Sequence, residues 1–172
     1  MRALIATSLL ALILTGCQTL SESGILPDGD DQAAGSSANQ VKRTVAFSPE
    51  EYAQLEKSGT ATLKGQLFYQ NEGLKVIGRD QRVSLAPATR YSAEAADAAL
   101  AGKRIEPADP RARAYTHTAT TDSEGHFTFT GLPSGVFYVG GVVRLPDGSM
   151  SPYILKQVRL GVGQTKTVKL TR

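Results

Sequence analysis

The sequence predicts an all-β protein: an antiparallel β-sandwich of about seven strands, with a short helix ahead of it and a second short helix inserted within it. Three observations lead there. From Thr60 onward apolar residues recur with a period of two, the spacing of a strand with one buried face. Pairs and triplets of Asn, Asp, Pro and Gly separate these runs at intervals that suit a sandwich. The 172 residues also include 17 glycines and 8 prolines, which supply turns and interrupt long helices.

Ahead of the sandwich stands a targeting segment. Met1 and Arg2 are a short positive start, and Ala3 to Leu14 is an apolar run. A bilayer span needs about 20 such residues, so this run suits a signal peptide covering residues 1–16. It ends in Leu14-Thr15-Gly16-Cys17, which resembles the bacterial lipobox. The resemblance implies cleavage before Cys17 and acylation of its thiol, since the thiolate is the nucleophile that takes the lipid. Two or three acyl chains would anchor the protein effectively permanently, whereas one chain binds only marginally. Gln18 in place of aspartate implies passage to the outer membrane, with the domain facing the periplasm. Cys17 is the only cysteine, so the fold has no internal disulfide and stands on its core.

Residues 17–43 read as a lipidated, disordered tether rich in Ser and Gly, with the acidic residues Asp28, Asp30 and Asp31. Residues 44–59 hold a short helix. Ser48 caps it, Pro49 suits its first turn, Glu51 completes a capping box, and Phe47 and Tyr52 are placed as a hydrophobic staple, with Gly59 as the stop.

The domain proper covers residues 60–172. Leu63, Gly65, Leu67 and Tyr69 alternate with Thr62, Lys64, Gln66 and Phe68 in a first strand, and Asn71-Glu72-Gly73 turns the chain. Val83 and Leu85 point inward from a second strand that Pro87 ends, and a third spans Ala114 to Thr121. Thr121-Asp122-Ser123-Glu124-Gly125 reads as a hairpin turn. Phe127 and Phe129 follow on one face, Leu132-Pro133-Ser134-Gly135 turns again, and Phe137, Val139 and Val143 resume the inward side. Leu145-Pro146-Asp147-Gly148 is a third turn. The last strands, Tyr153 to Leu160 and Thr165 to Leu170, bring Val158, Leu160, Val168 and Leu170 to the core.

The run from Asp122 through Gly125, Phe127, Phe129, Leu132, Pro133, Gly135 and Phe137 to Val139 resembles the signature of carboxypeptidase-regulatory-like domains, which are transthyretin-like (prealbumin-like) sandwiches. The resemblance covers about Thr60 to Arg172 and implies a non-catalytic accessory, adhesive or structural module. Such domains host many roles, so the fold alone does not set the function.

One stretch departs from the minimal pattern. Residues 87–113 are an insertion holding an alanine-rich helix from Ser92, its cap, to Gly102, its stop, followed by a loop. Arg90, Tyr91, Arg111, Arg113 and Tyr115 mix arginines with rings there, with Arg79 and Arg82 nearby, and form the candidate contact surface for a partner or an anionic polymer.

Composition excludes other classes. Without Arg2 the chain has 18 basic and 16 acidic side chains, a net of +2, and no basic block of the kind a nucleic-acid binder displays. The histidines, His117 and His126, fall on the two strands of the predicted hairpin with only the turn residues Asp122 and Glu124 nearby, short of the three or four ligands a metal site takes. Ser123, His126 and Asp122 are neighbours in one tight turn, which does not assemble a hydrolase triad. No catalytic, metal or cofactor site is expected. The sequence reads as a lipid-anchored, non-enzymatic envelope module contacting a protein partner or a surface polymer; the alternative is a carbohydrate- or peptide-binding module using the 87–113 insertion.

Overall fold

The computed structural model describes residues 40–172. The predicted signal segment 1–16, Cys17 and the tether up to residue 39 lie outside the described residues.

Two four-stranded sheets pack face to face. The first is built on β2 (Ala61–Asn71), which pairs on one side with β10 (Thr165–Leu170). On its other side lie β7 (His126–Leu132) and then, further along, β3 (Leu74–Ile77). Leu67 marks the handover, donating its N–H to Gly125 and accepting from Gly78 through its carbonyl, 2.8 and 3.0 Å, on the same side. The second sheet runs in the order β6 (His117–Thr120), β4 (Arg82–Pro87), β8 (Gly135–Gly141), β9 (Ile154–Leu160). Between them lies one core in which Leu63, Leu67, Val83, Leu85, Leu132 and Val139 are fully buried. Each such side chain stabilises the fold by roughly 1.5–3 kcal/mol relative to exposure.

The predicted sandwich is therefore present, and the periodicity placed its inward residues correctly, with one exception. Phe68, assigned to the outward face of β2, is only 6 % exposed, because Lys75 from β3 lies 4.4 Å over its ring. The strand β3 itself has weak alternation and was not foreseen. Its entry turn is as expected: Glu72 and Gly73 take φ of 45° and 85°, the paired left-handed residues of a tight hairpin.

Not every pairing is antiparallel. Beyond the β8–β9 hairpin the chain crosses to the first sheet, and β10 meets β2 in the parallel sense, with Thr165 opposite Thr62 and Leu170 opposite Leu67. The turn at Asp122 also differs from the prediction. Its local chemistry is present, with the Asp122 carboxylate accepting the N–H groups of Glu124 and His126 at 2.9 and 2.8 Å. Yet β6 pairs with β4 and β7 with β2, so the turn is a corner between sheets and not a hairpin. Pro133 and Ser134 cross back the same way. His117 and His126 consequently belong to different sheets.

The first helix is shorter than predicted but keeps its predicted cap, and the inserted helix starts earlier with a different one. The helix α1 (Pro49–Ala53) is capped by Ser48 Oγ, which accepts from the Glu51 N–H at 3.2 Å. Glu51 does not close a capping box; its carboxylate accepts the Arg90 N–H at 3.2 Å. The helix ends well before Gly59. The inserted helix α2 (Arg90–Leu100) begins one turn earlier than predicted, with Thr89 as cap and Ser92 returning the bond from the third helical position. Gly102, at φ 69°, ends it as expected. At the end of the predicted loop, α3 (Pro110–Arg113) makes a single helical turn, and the strand expected over Ala114 to Thr121 is the shorter β6, His117–Thr120.

The boundary of the tether also moves. Residues 40–43 belong to the fold: β1 (Gln40–Val41) pairs in parallel with β5 (Arg104–Ile105), and the Val41 carbonyl accepts from Glu106 N–H at 3.0 Å. Backbone pairing with the distant insertion, invisible to local composition, orders these residues.

Candidate functional site

The N-terminal segment and the insertion fold onto each other and form a second, aromatic cluster at one end of the sandwich. Thr89 is its hinge. Its hydroxyl accepts from Ser92 N–H at 3.1 Å, while Ser92 Oγ accepts from Thr89 N–H at 2.9 Å and donates to the Pro87 carbonyl at 2.7 Å. That network fixes where α2 leaves the sheet. It also anchors Tyr52, whose hydroxyl lies 3.0 Å from Thr89 Oγ1. Burial raises the Tyr52 phenol above its ordinary range, only partly offset by the Thr89 bond.

Around Tyr52 the rings gather. Phe47 lies 4.8 Å away as the predicted staple, Tyr115 meets Tyr52 edge-on at 5.2 Å, and Tyr91 meets Phe47 edge-on at 5.9 Å. Cations cover the outside: Arg43 sits 4.2 Å over Tyr91, Arg111 4.3 Å over Phe47 and Lys57 4.8 Å over Tyr115. Carboxylates tie the segment down. Glu94 accepts from Thr44 N–H and Oγ1, both at 2.6 Å; burial pushes its carboxyl up, but the Thr44 and Val45 bonds and the Arg43 charge bring it below its ordinary value. Asp109 takes a forked bond from Arg111 at 2.8 and 3.0 Å, which holds its carboxyl at about 2.

The expected contact residues thus separate. Tyr91 is 5 % exposed, with its hydroxyl accepting from Asp109 N–H at 2.8 Å, and it acts as a pillar of the cluster. Arg111 stacks and pairs within the cluster, Arg113 is half-buried on α3, and Arg90 is exposed at the start of α2. Arg79 and Arg82 lie exposed beside β4, outside this cluster. Tyr115 lines a cavity.

That cavity is a cleft of about 190 Å³ between the tail of α1 and the start of β8. Leu55 and Glu56 form one wall, Tyr115 and His117 another, and Ser134 and Phe137 the third. It is smaller than the roughly 300–1,000 Å³ pockets that enclose drug-sized ligands, and has room for a single small ring. Burial pushes the His117 imidazole below its ordinary value, so it is neutral at pH 7, with one nitrogen donating and the other accepting. Ser134 and Gly135 also line a shallow, open groove of about 620 Å³ along Arg159, Gly161, Gln164 and Lys166. Sequence reasoning missed Glu56, His117 and Ser134 as neighbours, because three segments far apart in the chain supply them.

Ser134, His117 and Glu56 line one cleft, and among the described residues no hydrogen bond joins them. Also among the described residues, no group of three or more His, Cys, Asp or Glu stands together to hold a metal.

These features define a small β-sandwich module with a ring-sized cleft at one end. No family model matches the chain, and no curated protein does. Among solved structures, it is 30 % identical to a Pseudomonas aeruginosa protein provisionally described as carbohydrate-binding, over 73 % of this chain and 97 % of that one, with a TM-score of 0.62. The chain belongs to the family of that protein. Looser likenesses include a DUF3823 family protein of Parabacteroides merdae (16 % identity, 66 % of this chain and 46 % of that one, TM-score 0.37) and a minor pilin of Streptococcus agalactiae (15 %, 66 % and 44 %, TM-score 0.38).

Proposed function

We propose that this protein is a lipid-anchored, non-catalytic module of a bacterial envelope that binds carbohydrate in the cleft beside Tyr115. The cleft itself carries the reading. The rings of Tyr115 and Phe137 and an apolar floor meet a neutral imidazole, a carboxylate and a hydroxyl, a mixture that suits a sugar, whose hydroxyls both donate and accept while its ring carbons present an apolar face. The carbohydrate binding ascribed to the P. aeruginosa relative supports it. Cys17 and its lipobox would tether the module to the outer membrane, and the segment after it would give the cleft reach into the periplasm.

The test is titration of the full-length protein, in mild detergent, with a panel of neutral mono- and oligosaccharides, followed by NMR. Selective shifts at His117 and Ser134, lost in Tyr115→Ala, are expected. A panel without any saturable ligand refutes the reading. Membrane fractionation beside Cys17→Ala tests the anchor: wild type is expected with the membranes and the variant in the soluble fraction.

A further inference from the structure

We infer that the open edge formed by β9 and β10 binds a carboxylate-bearing polysaccharide, continuing the chain whose sugar ring occupies the cleft; the inference rests on the carbohydrate reading above and assigns the charge class of the polymer. After Asp147 the sequence contains no acidic residue, yet β9, β10 and the end of the chain carry Lys156, Arg159, Lys166, Lys169 and Arg172. The fold concentrates this charge. β9 is the outermost strand of one sheet and β10 of the other, and a tight turn at residues 161–164 joins them, so both lie along the same open side of the sandwich.

The neighbouring elements do not neutralise it. β2, β7 and β8 contain no carboxylate between their first and last residues. α2, which touches β9, brings Glu94, already held by Thr44 and Val45, and Asp97. Lys166 Nζ donates to the Arg159 carbonyl at 3.2 Å, leaving two of its three donors for a ligand, and the Arg159 guanidinium offers the planar fork that matches a carboxylate.

Length and continuity favour a polymer over a flat anionic surface. Arg159 and Lys166 line a shallow, open groove of about 620 Å³. The seven residues of β9 extend about 20 Å, the length of several sugar units and more than one small anion spans. The groove and the cleft lie side by side, with Ser134 and Gly135 lining both.

The experiment is calorimetric titration of the full-length protein with polygalacturonate, with uncharged dextran, and with bilayer nanodiscs of phosphatidylglycerol. The variants are Lys156→Gln/Arg159→Gln/Lys166→Gln/Lys169→Gln and Tyr115→Ala. Expected are binding of polygalacturonate over dextran, weakening as salt rises, and a loss of about fifteenfold in the four-charge variant, each contact contributing roughly a factor of two. That variant is expected to keep its circular dichroism and its binding of neutral sugar in the cleft. Equal affinity for both polymers, an unaffected four-charge variant, or binding of nanodiscs without polygalacturonate overturns the inference. Neutral sugars still bound in the cleft would then leave the carbohydrate reading standing. Polygalacturonate bound equally by Tyr115→Ala, with no sugar in the cleft, would sustain the charged edge and remove the cleft.

Discussion

Gly65 lies at the most crowded point of β2, between Phe127 on β7 and Val168 on β10. A Cβ built there falls inside contact distance of Phe127 Cζ, 2.8 Å from Phe127 Cε1 and 2.9 Å from the Val168 carbonyl oxygen. Carbon atoms in favourable contact sit roughly 3.5–4 Å apart, so Gly65→Ala requires movement. Neither neighbour yields easily. Phe127 is 3 % exposed and meets Phe129 edge-on at 5.8 Å, and the Val168 carbonyl belongs to a backbone held by the parallel ladder. Overpacking of this kind costs about 1–3 kcal/mol, against a gain of roughly 0.4–1 kcal/mol from stiffening the unfolded chain, so a net loss near 1–2 kcal/mol is expected. For a domain of this size that lowers the melting temperature by roughly 3–10 °C. Urea and thermal unfolding followed by circular dichroism measure it, with an unchanged denaturant slope. Adding Phe127→Leu to Gly65→Ala should recover part of the loss, with a coupling above about 0.5 kcal/mol. A Gly65→Ala protein as stable as wild type, or one that Phe127→Leu does not help, would refute the packing argument.

Thr89→Ala removes both the cap of α2 and the partner of Tyr52, and is expected to cost about 1–2 kcal/mol by urea denaturation; Tyr52→Phe in that background then costs less than it does alone. Burial holds the His117 pKa below its ordinary 6.5, so as pH falls through that value the unfolded chain takes up a proton before the folded one does. Stability is therefore lost between about pH 7 and the folded pKa, where the loss levels off, and His117→Gln should flatten that limb of an unfolding series from pH 8 to 5. The Asp109 carboxyl should titrate by NMR at about 2 and return toward 3.8 in Arg111→Gln, since the Arg111 bond is the leading cause of its shift.

Local rules account for much of what was legible. Leu63, Leu67, Val83, Leu85, Phe127, Phe129 and Val139 were assigned inward by alternation, and all are buried, because successive side chains of a strand leave opposite faces. Ser48, the Phe47–Tyr52 staple and Gly102 were readable because caps and stops depend on residues within one turn. The errors share a cause. Asp122 to Gly125 forms the same hydrogen bonds whether the next strand returns alongside or leaves for the other sheet, so its sequence does not distinguish a hairpin from a corner. Ser92 and Thr89 both suit a cap, and the choice went to Thr89, whose hydroxyl also meets Tyr52.

By itself, the sequence determined that this is a turn-rich β protein, which strand faces turn inward, and that residues 153–172 carry basic side chains without acidic ones, since composition and period need no knowledge of partners. Only the tertiary structure decided which sheet each strand joins, that Tyr91 is a pillar while Tyr115 lines a cleft, and that Glu56, His117 and Ser134 share it. Those outcomes depend on contacts between segments tens of residues apart. Such contacts form only when burying the two inner faces together offsets the entropy of closing the loops between them, and no local pattern records that balance.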